Sequence, residues 1–312
     1  MAERDLYEQL ERALNGDAAS AGAQARELAA LARRLQQMPR EDFRSRLKNT
    51  LEEKAMATAK LNPIPEGSYT ITPYLIVNGA AQFIDFMKQA FDAEEIARFA
   101  APDGRLMHAE VRIRDSKIEM GDSNEQYPPR PGALHIYIPD VDRVYERALA
   151  AGATSLHALT DQPYGDREGS VRDPLGNNWY IATHQGGSHI PEGLRTVTPY
   201  LHATGSDRLI EFLKEAFTAE ELGVHRSEDG MVMHAKIRIG ESVIEMGEAH
   251  GRWQPMPMGF HFHVPDTDAI YARALEAGAK ALYPPEDKPY GERSAGVLDP
   301  AGNSWFIATA LK

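Results

Sequence analysis

The first sixty residues carry apolar side chains at helical spacing. Leucines recur every three or four positions within short runs, which places them on one face of a helix. The pattern predicts an all-α N-terminal arm over 1–60 that packs on the main body or on a second subunit, and a partner-binding module is the alternative. The leucines that define the pattern are Leu6, Leu10, Leu14, Leu28, Leu31 and Leu35.

From residue 70 onward the apolar pattern shortens and alternates, which is typical of strands. One helical pattern, at 80–91, interrupts the first series of strands, so the predicted order is β-α-β-β-β. The same order starts again at 133. The predicted strands are 70–77, 95–99, 107–113, 117–120, 133–138, 155–158, 167–172 and 178–182, and the predicted helices are 80–91 and 141–151.

Short motifs occur twice in this chain, in the same order and at the same offset. TPYL at 72–75 recurs at 198–201, and MHA at 107–109 recurs at 233–235. PYG and DP recur in the same way later in each copy. The chain therefore holds a tandem duplication, with two β-α-β-β-β modules in each copy and four in all. The linkers are the proline-rich 61–67 and the glycine-rich 185–188.

Composition narrows the class of protein. The 312 residues are 42% hydrophobic and 26% charged, as in ordinary soluble globular proteins. A net charge of −12 argues against nucleic acid or an anionic membrane as partner. The absence of cysteine excludes disulfides, thiolate metal sites and a cysteine nucleophile. Without an apolar run of membrane length or a signal-peptide pattern, the cytoplasm is the expected location.

Carboxylates and imidazoles stand on short apolar strands in both copies. IEMG at 118–121 is followed by HIY at 135–137, and IEMG at 244–247 is followed by HFH at 261–263. Such groups are either metal ligands or buried polar groups with satisfied hydrogen bonds. In the second case Lys117 or Lys236 is a nearby cation that neutralises the glutamate.

The ordered motifs resemble those of the vicinal oxygen chelate superfamily, which includes glyoxalase I, bleomycin-resistance proteins and extradiol dioxygenases. The resemblance covers 69–184 and 195–309, which we predict to be two glyoxalase-like domains. It rests on the TPYL strand and the helix after it, the PDVD helix at 139–142, and the DPLGN and DPAGN turns before each last strand. The MHA strand, the YG(D/E)R loop and the closing WxIAT resemble the PhnB-like branch in particular.

The resemblance implies an α+β fold in which four βαβββ modules form two cupped sheets around ligand clefts. In metal-dependent members one divalent ion (Zn, Ni, Co, Mn or Fe) sits in the cleft and polarises a small oxygen-rich substrate. A protein without metal is the equal alternative. The expected partner is a small molecule, and the modules pair either within the chain or across a homodimer.

In glyoxalase-like members four strands each give one metal ligand, and these positions carry over to this chain. In the first copy Glu119 and His135 match the second and third positions. The first and fourth positions hold Thr72 and Tyr180, which are not normal ligands for such an ion. The first copy therefore matches two of the four positions.

The second copy matches the same two positions with Glu245 and His261, while Thr198 and Phe306 occupy the outer two. His202 lies four residues beyond Thr198, on the same face of the opening strand because side chains alternate with period two. A 2-His-1-carboxylate set is then feasible, with Glu245 also as the catalytic base. The set consists of His202, Glu245 and His261, with His263 in reserve.

Aromatic and charged residues near the final strands form a second candidate site. YGDR at 164–167 and YGER at 290–293 combine an aromatic ring with a guanidinium, as a ligand-binding loop requires. The alternative is a structural turn whose arginine pairs with Asp173 or Asp299. The candidate ligand-binding residues are Tyr74, Tyr164, Arg167, Tyr200, Trp253, Tyr290 and Arg293. Tyr74, Tyr137, Tyr164 and Tyr180 are predicted to line the first cleft, and Tyr200, Trp253, Phe262 and Phe306 the second.

Two functions follow from the sequence. One is a metal-dependent lyase or isomerase of glyoxalase type, and the other is a protein that binds a small drug or metabolite without turnover. The asymmetry of His202, His263 and Trp253 predicts that the second copy carries the activity. Trp179 and Trp305 are predicted to pack beneath the sheets.

Overall fold

The computed structural model describes residues 64–65 and 67–311. The predicted N-terminal arm over 1–60 lies outside the described residues. None of the described helices combines the length and apolarity that crossing a bilayer requires.

The described part follows the predicted β-α-β-β-β order four times. The four helices are α1 (Ala80–Phe91), α2 (Val141–Ala150), α3 (Ser206–Phe217) and α4 (Thr267–Glu276). The first eight strands are β1 (Ile71–Val77), β2 (Glu94–Ala100), β3 (Leu106–Ile113), β4 (Ser116–Asp122), β5 (Ala133–Tyr137), β6 (Thr154–Asp161), β7 (Asp166–Arg172) and β8 (Asn178–His184). The other eight are β9 (Val197–Ala203), β10 (Glu220–Arg226), β11 (Val232–Ile239), β12 (Ser242–Glu248), β13 (Gly259–His263), β14 (Lys280–Lys288), β15 (Glu292–Leu298) and β16 (Ser304–Ala310).

The strands form two eight-stranded sheets, and each sheet draws on both repeats. Sheet A has the order β14-β15-β16-β13-β1-β4-β3-β2, and sheet B has the order β10-β11-β12-β9-β5-β8-β7-β6. The central contact of each sheet is antiparallel, between β1 and β13 in sheet A and between β5 and β9 in sheet B. The modules therefore pair within one chain, module one with module four and module two with module three. The domain boundaries 69–184 and 195–309 remain predictions.

Hydrogen bonds between the repeats hold this crossed arrangement. The Ser116 hydroxyl accepts from the backbone N–H of Val197 at 2.9 Å, and the Ser242 hydroxyl accepts from that of Ile71 at 3.0 Å. Each serine begins the last strand of its module, so the hairpin end of one repeat fastens the first strand of the other.

Apolar residues on one face of each sheet form the core under the helices. Trp179 and Trp305 are fully buried there, as predicted. Each indole N–H donates to a buried carboxylate, Trp179 to Asp173 at 3.0 Å and Trp305 to Asp299 at 2.9 Å. The repeated Asp-Pro turn therefore anchors the largest core side chain of each last strand.

Candidate functional site

Strand alternation sorts core residues from site residues. On β13, Phe260 and Phe262 belong to the apolar core, while His261 and His263 point to the opposite side of the sheet. Helices α1 and α4 pack on sheet A, and α2 and α3 pack on sheet B. We call the helix-free surface of sheet A face A, and that of sheet B face B.

Face A is centred on an imidazole between two carboxylates. His261 Nδ1 lies 2.8 Å from Glu119 Oε2, and His261 Nε2 lies 3.3 Å from Glu292 Oε2. Glu119 comes from the first repeat and His261 from the second. Lys117 Nζ is farther from Glu119, at 3.8 Å, so it is the weaker of the two positive neighbours.

Face B has the same arrangement, but here the glutamate comes from the second repeat and the histidine from the first. His135 Nδ1 lies 2.8 Å from Glu245 Oε2, and His135 Nε2 lies 3.4 Å from Glu168 Oε2. Lys236 Nζ is 3.6 Å from the other Glu245 oxygen. Glu245 is 1% exposed, so its charge depends on these partners.

The carboxylates keep both central imidazoles protonated. Burial lowers the pKa of His261, but Glu119 and Glu292 raise it more, to about 10. Burial likewise lowers the pKa of His135, and Glu245 and Glu168 outweigh that effect and raise it to about 10. Burial raises the pKa of Glu245, but His135 holds it well below its usual range. Without a bound ligand, each face therefore holds an imidazolium between two carboxylates.

His263 adds a second imidazole to face A. It is 4% exposed, and its Nε2 has no hydrogen-bond partner among the described residues. Burial and the neighbouring His261 charge lower the pKa of His263 to about 4, so this ring is neutral. Ligand atoms of Glu119, His261 and His263 lie within 4.8 Å of one another. This donor set suits a divalent metal ion.

Face B has Tyr137 where face A has His263. The Tyr137 hydroxyl donates to Asp166 Oδ2 at 3.0 Å, and the other Asp166 oxygen contacts His184 Nδ1. Ligand atoms of His135, Asp166 and Glu168 also lie within 4.8 Å of one another. Both Asp166 oxygens, however, are already engaged by other side chains.

An aromatic wall borders face B. The Tyr180 hydroxyl lies 2.6 Å from His202 Nε2. The His202 ring is stacked with Trp253, with an interplanar angle of 3° and centroids 5.4 Å apart. Tyr200 packs on Tyr180 at 5.1 Å. Burial and then His250 lower the pKa of His202 to about 4, so the Tyr180 hydroxyl donates to a neutral imidazole.

The wall of face A is less extensive. Tyr74 packs edge-on to Phe306 with centroids 5.3 Å apart, and Tyr127 contacts the same ring at 6.3 Å. His108 lies on the other side of Tyr74, at 5.8 Å, and its Nε2 is 3.2 Å from Glu110.

The predicted ligand set of His202, Glu245 and His261 is not brought together and needs correction. His202 and Glu245 lie on sheet B, and His261 lies on sheet A. His202 is instead hydrogen-bonded to the hydroxyl of Tyr180. The prediction assembled ligands within one repeat, whereas the central strands pair across repeats.

Because the central strands pair across the repeats, the four metal-ligand positions expected from the family also come from both repeats on each face. On face A they are Thr72, Glu119, His261 and Phe306, and Thr72 pairs with His261 in the β1–β13 register. Face B combines the other four residues in the same way: Thr198, Glu245, His135 and Tyr180. The prediction that one repeat carries the activity also changes, because neither face belongs to one repeat.

The predicted aromatic linings divide differently. Tyr74 lies on face A, whereas Tyr137 and Tyr180 lie on face B. Phe262 is a core residue that packs on Trp305. Tyr164 and Tyr290 are 60% and 67% exposed, so they lie at the rims of the two faces.

Arg167 and Arg293 have structural partners, but not the predicted ones. Arg167 pairs with Asp142 at 2.6 Å and with Asp161 at 3.3 Å. Arg293 pairs with the equivalent carboxylates, Asp268 and Asp287. Asp173 and Asp299 instead accept hydrogen bonds from their own turns and tryptophans. The arginines therefore tie β7 and β15 to the preceding helix and the preceding strand of the same module.

Sequence reasoning missed the two outer carboxylates, Glu168 and Glu292. Glu292 belongs to the repeated YG(D/E)R loop and aligns with Asp166, but the predicted site residues of that loop are its tyrosine and arginine. Glu168 aligns with Ser294 and lies outside the repeated motifs, so a search for such motifs cannot find it. Their period-two position on β7 and β15, facing the imidazoles, was the available signal.

These features define a class of protein: tandem βαβββ modules paired into eight-stranded sheets, each with a helix-free face that carries histidine and glutamate. The family model of the Glyoxalase/Bleomycin resistance protein/Dioxygenase superfamily matches residues 69–181 and 203–307. The chain belongs to this superfamily.

The chain is also similar to individual proteins. An uncharacterized protein of Mycobacterium bovis is 41% identical over 122 residues, which cover 36% of this chain and 80% of that protein. A protein of Mycobacterium tuberculosis is also 41% identical over 122 residues and is covered over 72% of its length. The structure of glyoxalase I from Zea mays is similar with a TM-score of 0.60 at 16% identity, over 77% of this chain and 92% of that one. At that identity the likeness concerns the fold.

Proposed function

We propose that the protein is a divalent-metal-dependent lyase or isomerase acting on a small oxygen-rich metabolite. The observation that supports this best is the convergence of Glu119, His261 and His263 within 4.8 Å on face A. The unpartnered Nε2 of the buried His263 fits a metal ligand, since an unsatisfied buried nitrogen is otherwise costly. A bound ion would polarise substrate oxygens and stabilise negative charge that develops on them.

The chain's own residues supply orientation and proton transfer. Glu292 is 17% exposed at its side chain, more than Glu119 at 2%, so we assign it the exchange of a proton with a ligand on face A. Glu245, the predicted base, is bonded to His135 and nearly inaccessible. We propose that Glu245 serves as a buried counter-ion on face B.

Metal analysis tests the proposal. The purified protein is stripped with chelator, reconstituted separately with Zn²⁺, Co²⁺, Ni²⁺, Mn²⁺ and Fe²⁺, and desalted before its metal content is measured. We expect about one equivalent to be retained. Retention below about 0.2 equivalents of every ion would exclude metal-dependent chemistry.

A second candidate function, binding without turnover, is favoured by the wall of face B. Tyr180, Tyr200, His202 and Trp253 offer a set of flat rings beside the Glu168 carboxylate, which suits an aromatic or cationic compound. Of the three tryptophans, Trp253 alone has solvent access. Fluorescence quenching by planar cationic dyes, lost in Trp253→Phe, would support this function, and equal quenching in that variant would oppose it.

Three further expectations stay proposals. Composition favours the cytoplasm, and the repeated motifs favour the PhnB-like branch. A homodimer is compatible with strand pairing inside one chain, because the sheets leave outer edges at β2, β6, β10 and β14.

A further inference from the structure

We infer that the metal centre is confined to face A, where His263 replaces a missing family ligand, and that Tyr137 keeps face B free of metal. The inference rests on the proposed metal chemistry and adds where the ion binds and why only one binds. The two residues concerned, Tyr137 and His263, stand at equivalent positions of two repeated strands, β5 and β13.

The family positions alone cannot hold an ion on either face. Face A has Thr72 and Phe306 at the two outer positions, and neither is a normal ligand. His263, however, lies two residues beyond His261 on the same side of β13, with ring centroids 4.2 Å apart. The centre is therefore displaced along β13, away from the position of Phe306.

Glu292 lies on the side toward which the centre moves, where it exchanges protons with a ligand. Its carboxylate lies 3.3 Å from His261 Nε2. The ligand atoms come from two imidazoles and one carboxylate on β4 and β13, those of His261, His263 and Glu119, which lie within 4.8 Å of one another. Nitrogen and oxygen donors in this number suit Zn²⁺, Co²⁺, Ni²⁺, Fe²⁺ or Mn²⁺.

Face B has no imidazole at the position equivalent to His263. Tyr137 occupies the position of His263, and its hydroxyl is committed as a donor to Asp166. Asp166 replaces Glu292 and is also held by His184. His135 lies between Glu245 and Glu168, His234 contacts the other Glu245 oxygen, and His184 contacts Asp166. Each carboxylate of this cluster is therefore already paired with an imidazole, so the cluster resembles an ion network more than a ligand set.

Reciprocal exchange of the differing residues tests the inference. Co²⁺ and Zn²⁺ titrations by calorimetry, and the visible absorption of bound Co²⁺, are recorded for the wild type and for variants. We expect one equivalent in the wild type and at least ~10-fold weaker binding in His263→Tyr. His263→Gln serves as a smaller replacement, and circular dichroism confirms that each variant is folded. Tyr137→Phe is the matched control on face B and should leave affinity unchanged.

A gain-of-function variant combines Tyr137→His with Asp166→Glu, which gives face B the imidazole and the glutamate that face A has at the equivalent positions. We expect the stoichiometry to rise from one to two equivalents. A stoichiometry that stays at one would overturn the role assigned to Tyr137.

The outcomes separate this inference from the proposed function. Two equivalents in the wild type, or one equivalent bound as tightly in both folded His263 variants, would overturn the inference and leave metal-dependent chemistry standing. No uptake of any ion would end the proposed function itself.

Discussion

Faces A and B share a central pair and differ around it. In both, a glutamate from one repeat meets a histidine from the other at 2.8 Å. Beyond that pair, face A has His263 and Glu292, whereas face B has Tyr137 and Glu168. The comparison indicates that the repeated glutamate–histidine pair stabilises each face. The residues beside the pair then determine which ligands the face can bind.

The largest expected effect comes from breaking the central pair of face B. His135→Leu leaves Glu245 buried without its nearest cation, which typically costs about 3–5 kcal/mol. Urea unfolding followed by circular dichroism measures the loss. His225→Leu, at an exposed histidine on β10, is the control and should change stability by less than about 0.5 kcal/mol. Equal effects in the two variants would show that the pair does not hold face B together.

Metal should stabilise face A but not face B. With free Zn²⁺ at about 100 times its Kd, the free energy of unfolding should rise by about 2.7 kcal/mol. Thermal unfolding with and without chelator measures the gain, which we expect to disappear in His263→Gln and to persist in Tyr137→Phe. A gain lost in the Tyr137 variant would reverse the assignment of the two faces.

His202 should give face B a pH effect, as His263, whose pKa is also about 4, should give face A. The pKa of His202 in the fold is about 4, below its usual value of 6.5, so folding excludes a proton that the unfolded chain binds. Stability is therefore lost as pH falls from 6.5 toward 4. His202→Ile, which copies Ile76 of the first repeat, should flatten that decline by a few degrees in Tm. If Tm falls equally with pH in the variant and in the wild type, His202 is not a neutral, buried imidazole in the fold.

The smallest effect concerns the hydroxyl of Tyr180. Tyr180→Phe removes the donor to His202 and should cost about 1 kcal/mol in urea unfolding. Phe306→Tyr is the reciprocal change on face A, where Ile76 stands at the position of His202. It should bring no stabilisation, and an equal gain there would mean that the hydrogen bond contributes little.

Much of the fold could be predicted from sequence. Period-two alternation located the strands, and the repeated turns at Asp173 and Asp299 identified the modules and their last strands. The positions of Glu119, His135, Glu245 and His261 in the sites were predicted from the resemblance to the family's ligand positions.

Which repeat supplies each partner could not be predicted. Strand β1 meets β13 rather than β5, although β5 and β13 carry the same pattern of core and site positions. Only the three-dimensional packing distinguishes them, so His202 was grouped with His261 across two sheets. Arg167 was misassigned for a related reason: the next aspartate along the chain, Asp173, is occupied by its own turn.

The crossed strand pairing has a consequence for how the chain can be divided. A single repeat would expose the inner edges of two half-sheets, at β1 and β5 in the first repeat and at β9 and β13 in the second. In the observed arrangement each half satisfies the backbone groups at the inner edges of the other. The segment between β8 and β9 therefore acts as a tether that raises the local concentration of one half around the other. Cutting it would convert one polypeptide into an obligate pair.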